Sequence, residues 1–123
     1  MIAVANLLSA VGLAARAREV VSGEDFCFRA IRQGRARVVL LASDAGANGA
    51  KKVRDKCAFY HVPLVVTLNR DDLGRAIGKP SRTVVAITSA AFADMVLQAI
   101  DGHPDGGHPR TLEVTVFDKT PRV

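Results

Sequence analysis

A chain of 123 residues is one domain, long enough for a core of its own. Its 49% apolar content excludes wholesale disorder, and the lack of Trp with a single Tyr argues against a single-strand binder built on an aromatic platform. The net charge of +5 is uneven: residues 1–100 hold 14 basic and 8 acidic side chains, while 101–123 hold 3 and 4. The body is therefore the basic part, and nucleic acid is the natural partner class for such a domain.

Residues 3–17 are Ala/Leu-rich and predict a helix. The stretch 2–15 is apolar enough to imitate a secretory signal. However, no basic residue precedes it, Arg16 and Arg18 continue the helical pattern, and it is too short to span a membrane. It reads as a core helix, and no membrane partner is expected. Residues 19–22 predict a short strand and 24–33 a helix, with Cys27, Ala30 and Ile31 facing the core and Gly34 ending it. Ser22 and Asp25 stand at capping-box spacing before that helix. RVVLLA (37–42) reads as a buried strand and 44–49 as a small-residue loop. Ala50, Val53, Cys57 and Tyr60 then mark the inner face of a third helix. Residues 64–68 predict a strand. A short helix capped by Asn69 and Asp72 follows and stops at Gly78, then a strand at 83–88 and a closing helix at 90–100. Regular alternation of helix and strand predicts an α/β fold, a three-layer α/β/α sandwich around a small sheet of about four strands.

The core is expected to end near Ile100, giving a domain at 1–100 and a tail at 101–123. GHPDGGHP (102–109) reads as a linker. Beyond it, Leu112, Val114 and Val116 alternate with polar residues, which fits either an added strand or a loose tail. Two histidines, His103 and His108, in a Gly/Pro linker without further ligands do not make a metal site. Cys27 and Cys57 lie far apart on apolar helix stripes and read as buried thiols of a cytoplasmic protein.

The segment VVLLASDAGANGAKK (38–52) imitates a phosphate-binding P-loop. It lacks the four-residue spacing between glycines, and no Ser or Thr directly follows Lys51, so it cannot wrap a nucleotide or hold its magnesium. Asn48, Lys51 and Lys52 instead start a helix suited to an RNA backbone, although Lys51 and Asp55 at i, i+4 also fit a solvated ion pair. In LGRAIGKPSRT (73–83) a glycine stop leads into a basic loop. Lys79, Ser81 and Arg82 are expected at the same end of the sheet as Gly23. There, backbone amides at the helix start and the guanidiniums of Arg29 and Arg32 suit phosphates and base edges. No nucleophile–base pair is present, and His61 beside Val62-Pro63 reads as a helix cap, so no enzyme and no cofactor are expected.

The pieces at Val11-Gly12-Leu13-Ala14, 20–25, 38–48, 51–63 and 73–79, in this order and spacing, resemble the YlxQ-like bacterial branch of the ribosomal L-seven-Ae/L-thirty-e family. The resemblance covers about residues 4–100. It implies an L-thirty-e-like sandwich with a mixed sheet that binds kink-turn RNA, a sharply bent loop with tandem G·A pairs. Members read those pairs with a Gly-x-Asn-Glu-x-x-Lys pattern, which falls here on Gly23, Asp25, Phe26 and Arg29, with Glu24 inside it. Gly23 and Arg29 keep the chemistry. Asp25 accepts but cannot donate as an amide does, and Phe26 removes a carboxylate acceptor. The resemblance also implies RNA contacts from the loop at 77–83.

The implied function is non-catalytic binding of structured RNA, a kink turn or ribosomal RNA, beside ribosomal or translation-factor proteins. The alternative is a protein-interaction adaptor that keeps the fold and uses Phe26 as a contact residue.

Overall fold

The computed structural model describes residues 2–101 and 113–115. The chain alternates as expected: α1 (Ile2–Arg16), β1 (Val20–Ser22), α2 (Glu24–Arg32), β2 (Val38–Leu41), α3 (Ala47–Tyr60), β3 (Leu64–Val66), α4 (Arg70–Ala76), β4 (Val84–Ile87) and α5 (Ala90–Asp101). A further strand, β5 (Glu113–Thr115), comes from the tail.

One mixed sheet runs in the order β1-β4-β2-β3-β5. β2 and β3 are parallel, with Leu40 opposite Val65. β4 lies antiparallel between β1 and β2, with Ala86 opposite both Val21 and Val39. The four strands of the body match the expected sheet. β5 adds a fifth, pairing Val114 with Val65 along the outer edge of β3. The two His-Pro pairs and most of the tail lie outside the described residues.

The strands alternate between two cores because successive side chains leave opposite faces. Val38, Leu40, Val65, Val85 and Ile87 pack under α1, α4 and α5, against Leu7, Val11, Leu73 and Val96. Val39, Leu41, Leu64, Val84 and Ala86 pack under α2 and α3, against Cys27, Ile31, Val53 and Cys57. Helices on both faces explain why β2 and β4 are buried along their whole length. Both cysteines are free and buried, and loss of water pushes each thiol up to about 12, so they act as small apolar side chains.

Three local expectations change. Tyr60 is not on the inner face of α3: the buried stripe ends at Cys57, and Tyr60 lies 39% exposed beyond it. The loop after β2 is shorter than expected, with Gly46 as N-cap and helix from Ala47. The Ser22–Asp25 capping box does not form, because Ser22 is the last residue of β1 and α2 has Gly23 as its N-cap, with no side-chain cap.

Among the described residues Thr67 is the one buried polar residue, and its Oγ1 finds no hydrogen-bond partner there. A buried hydroxyl without a partner costs about 1–3 kcal/mol. Thr67→Val, which keeps the shape, is expected to raise stability by about 1 kcal/mol. Urea unfolding measures this; a midpoint below that of the parent would show that the hydroxyl is satisfied.

Candidate nucleic-acid interface

The sheet topology decides which loops meet. β1 and β2 both run antiparallel to β4, and β3 runs parallel to β2. The C-terminal ends of β1, β2 and β3 and the entry to β4 therefore share one end of the sandwich. The start of α2, the loop at 42–46, the start of α3, the start of α4 and the loop at 78–83 all gather there.

Backbone bonds knit this end together. Gly23 N–H donates to Val84 O (3.1 Å) and Ala42 N–H to Thr83 O (2.8 Å). Ser43 donates twice to Leu68 O, from its amide (2.7 Å) and its hydroxyl (2.9 Å). Those bonds hold Leu68 in a left-handed conformation, φ 59°, which a side chain of this kind seldom adopts. Asn69 then caps α4, accepting from Asp72 N–H at 2.8 Å, as its sequence position predicts.

Gly23 makes the turn from β1 into α2 at φ 91°, a conformation that strains any side chain. Its own amide is committed to Val84. The donors left facing outward are the first-turn amides of α2, which no side chain caps. Glu24 leans toward α3, so that a Cβ placed on Gly49 would lie 2.8 Å from its Oε2. Asp25 and Phe26 are exposed, Phe26 at 59%. One turn on, the exposed Arg29 holds its guanidinium 5.8 Å from the centre of the Phe26 ring. That is a cation–π distance, so Phe26 positions Arg29.

The loop at 78–82 folds back on α4. Lys79 N–H donates to Gly74 O (2.8 Å) and Arg82 N–H to Arg70 O (3.0 Å). Gly78 takes φ 76°, as expected of the residue after this helix. Lys79 is exposed and makes no ion pair among the described residues. Ser81 is half-buried, and its carbonyl accepts from Arg82 Nη1 at 2.7 Å. Arg82 Nε donates to Ser22 Oγ at 3.1 Å. The hydroxyl expected to cap α2 thus ties β1 to the loop before β4, and Arg82 serves partly as a brace.

On α3, Asn48 and Lys52 are exposed near the start of the helix. Lys51 pairs with Asp55 at 2.6 Å, the solvated i, i+4 pair its spacing allows. Two acids of this end are also paired, Asp44 with Arg70 (3.5 Å) and Asp72 with Arg75 (3.3 Å). Arg29, Lys52 and Lys79 remain available to an anion. Arg32 is not brought into the cluster, because α2 runs away from this end and Arg32 closes it.

Sequence reasoning missed one group. Phe28, Lys56, Phe59 and Tyr60 line an outer groove between α2 and α3 together with Lys52. Lys52, Lys56 and Phe59 at i, i+4, i+7 form a stripe beside the buried one, which was the available signal. His61 caps α3 as expected, in the left-handed region at φ 58°. Among the described residues no three metal-ligating side chains cluster, and no helix is long and apolar enough to cross a membrane.

The profile of the ribosomal protein L7Ae/L30e/S12e/Gadd45 family matches residues 5–96. The RNA-binding protein YlxQ of Bacillus subtilis (strain 168) is 52% identical over 91 residues, covering 74% of this chain and 91% of that protein. The RNA-binding protein YlxQ of Enterococcus faecium is 36% identical over 95 residues, covering 77% and 91%. A solved structure of a protein with unknown function from Bacillus halodurans C superimposes with TM-score 0.74 at 44% identity, over 77% of this chain and 96% of that one. The Giardia lamblia 15.5kD RNA binding protein shares the fold, with TM-score 0.72 at 22% identity over 83% and 88% of the two chains. By sequence and fold together, this chain belongs to the ribosomal protein L7Ae/L30e/S12e/Gadd45 family as a YlxQ-like member.

Proposed function

We propose that this chain binds structured RNA, without catalysis, through the sheet end where α2, α3 and the loop at 78–82 converge. The observation that carries this reading is the convergence itself: an uncapped helix start, Arg29, Lys52 and Lys79 collect there, while the nearby Asp44, Asp55 and Asp72 are paired with cations of their own. The two YlxQ relatives, both named as RNA-binding proteins, support it. The ribosomal character of the family supports a role in the translation apparatus of the cytoplasm, beside ribosomal RNA or ribosomal proteins.

A kink turn fits the site best. Its sharp bend brings phosphates to the cations while tandem G·A edges meet the first turn of α2. Asp25 accepts from base amino groups, and Arg29 stands where a basic contact is needed. The interface lies within residues 1–100.

Phosphate contacts make binding salt-dependent. With Arg29, Lys52 and Lys79 as three contacts, the slope of log affinity against log salt should be about −2 to −3. Titration of a kinked duplex with tandem G·A pairs at several salt concentrations measures it. A flat response, or no binding at low salt, removes the RNA reading. The exposed Phe26 is the observation that favours a protein adaptor instead. Its ring is partly occupied by Arg29, however, which suits a residue that positions a cation.

A further inference from the structure

The outer groove between α2 and α3 has no part in the site above except Lys52. It is open, about 630 Å³ in volume, and lined by Phe28 on α2 and by Lys52, Asp55, Lys56, Phe59 and Tyr60 on α3. The chain has only six aromatic residues, and three of them lie here. Phe59 is 76% exposed, an unusual position for a phenylalanine, and packs edge-on against Tyr60 with centroids 4.9 Å apart. Lys56 Nζ stands 5.7 Å from the centre of the Phe28 ring. The groove's carboxylate, Asp55, is already paired with Lys51, so Lys52 and Lys56 set the local charge.

The direction of the groove matters as much as its lining. α2 and α3 both leave the sheet end where β1 and β2 finish, and both run toward the opposite end. Lys52 lies near the start of α3, and Phe59 stands seven residues further on, about 10 Å along the helix. The groove therefore leads away from the proposed RNA site, with cations first and exposed rings beyond them. Unpaired nucleotides are recognised by this combination: cations track the backbone while bases stack on aromatic faces. An acidic protein surface would meet the lysines but would leave Phe59 and Tyr60 without a stacking partner.

We infer that the α2–α3 groove takes an unpaired strand continuing from the structured RNA, with a base stacked on the face of Phe59 beside Tyr60 and its phosphates beside Lys52 and Lys56. This rests on the RNA reading above and adds to it a class of substrate: structured RNA with a single-stranded flank.

The test compares four RNAs on the full chain. They are a kinked duplex with tandem G·A pairs, the same duplex with about four unpaired uridines on either end in turn, and the better of these with an abasic flank. The flank is expected to tighten binding about tenfold, and the abasic flank should lose most of that gain, since stacking is the larger part of it. Phe59→Ala should remove the gain and leave affinity for the bare duplex unchanged, which also shows that the variant is folded. With no Trp and Tyr60 as the only tyrosine, intrinsic emission reports this groove alone, and the uridine flank should quench it while the abasic flank should not. If the bare duplex fails to bind, the RNA reading falls and this inference with it. If the duplex binds but neither flank tightens it, or Phe59→Ala keeps the gain, the groove is not an RNA surface. Its rings would then be assigned to a protein partner.

Discussion

Gly74→Ala is expected to lower the melting temperature by roughly 6–12 °C and to loosen the loop that carries Lys79. Propensity alone argues the opposite, because alanine inside a helix is favoured over glycine by about 1 kcal/mol. Packing reverses the sign. Gly74 is buried in α4, and a Cβ there would lie 2.6 Å from Ser81 Cα and 2.8 Å from Ser81 N. These are backbone atoms, so no rotamer change relieves the overlap. Neither side can easily withdraw. α4 is pinned by the fully buried Leu73 and by the Asn69 cap, while the loop is held by the bonds from Lys79 and Arg82 to α4. Forced overpacking costs about 1–3 kcal/mol, and rigid backbone contact belongs at the upper end. Gly12→Ala is the control, since Gly12 also lies inside a helix and a Cβ there would meet only Ala76 O at 3.7 Å, an ordinary contact. Thermal unfolding of both variants measures the difference. Equal melting temperatures would mean that the α4–loop contact is not close. Because the loop carries Lys79 and Ser81, Gly74→Ala should also weaken RNA binding, at a temperature where the variant is still folded.

That contact illustrates what could be read from the sequence and what could not. Element order followed from local signals: apolar periodicity placed α2 and α3, the run VVLL placed β2, and Asn69 with Asp72 placed α4. The layers followed too, because alternating helix and strand leave few other ways to bury both faces of a sheet. Gly74 was legible only as a helix glycine, since its reason is a segment packed against it after the chain has turned back. Ser22 misled for a related cause. Its spacing to Asp25 fits a cap, yet strand pairing extends through Ser22, and its hydroxyl serves Arg82, sixty residues away. Local motifs state what a residue can do, and tertiary contacts choose among the options. The groove escaped because a count of aromatics says nothing of where they gather; three of six on one surface make a patch that composition cannot reveal.

The candidate site divides in the same way. Gly23 and the loop at 78–83 were expected together and are together, since antiparallel β1 and β4 bring Ser22 opposite Val85. The direction of α2 separates Arg29 from Arg32, although both are exposed arginines on one short helix.

This separation predicts unequal consequences. On a kinked RNA with tandem G·A pairs and no unpaired flank, Arg29→Ala should weaken binding far more than Arg32→Ala. Arg29 stands one turn nearer the sheet end, about 4.5 Å along the axis, and the Phe26 ring holds its guanidinium in place. Losing one charge-assisted contact costs about 1.5–3 kcal/mol, roughly 10- to 150-fold in affinity. Arg32 should change binding by less than about threefold, as a solvated charge beyond the first phosphates does. Phe26→Glu tests the same geometry from the other side. The new carboxylate would stand three residues before Arg29, able to replace the ring in orienting the guanidinium and to accept from guanine amino groups. Binding to the tandem G·A RNA should tighten, and binding to a plain duplex should not, because only the former offers those amino groups to the first turn of α2. Affinities of the three variants for both RNAs, at one fixed salt concentration, decide the matter. Equal effects of the two arginines, with no gain from Phe26→Glu, would move the RNA away from the start of α2 even though RNA binding itself survived.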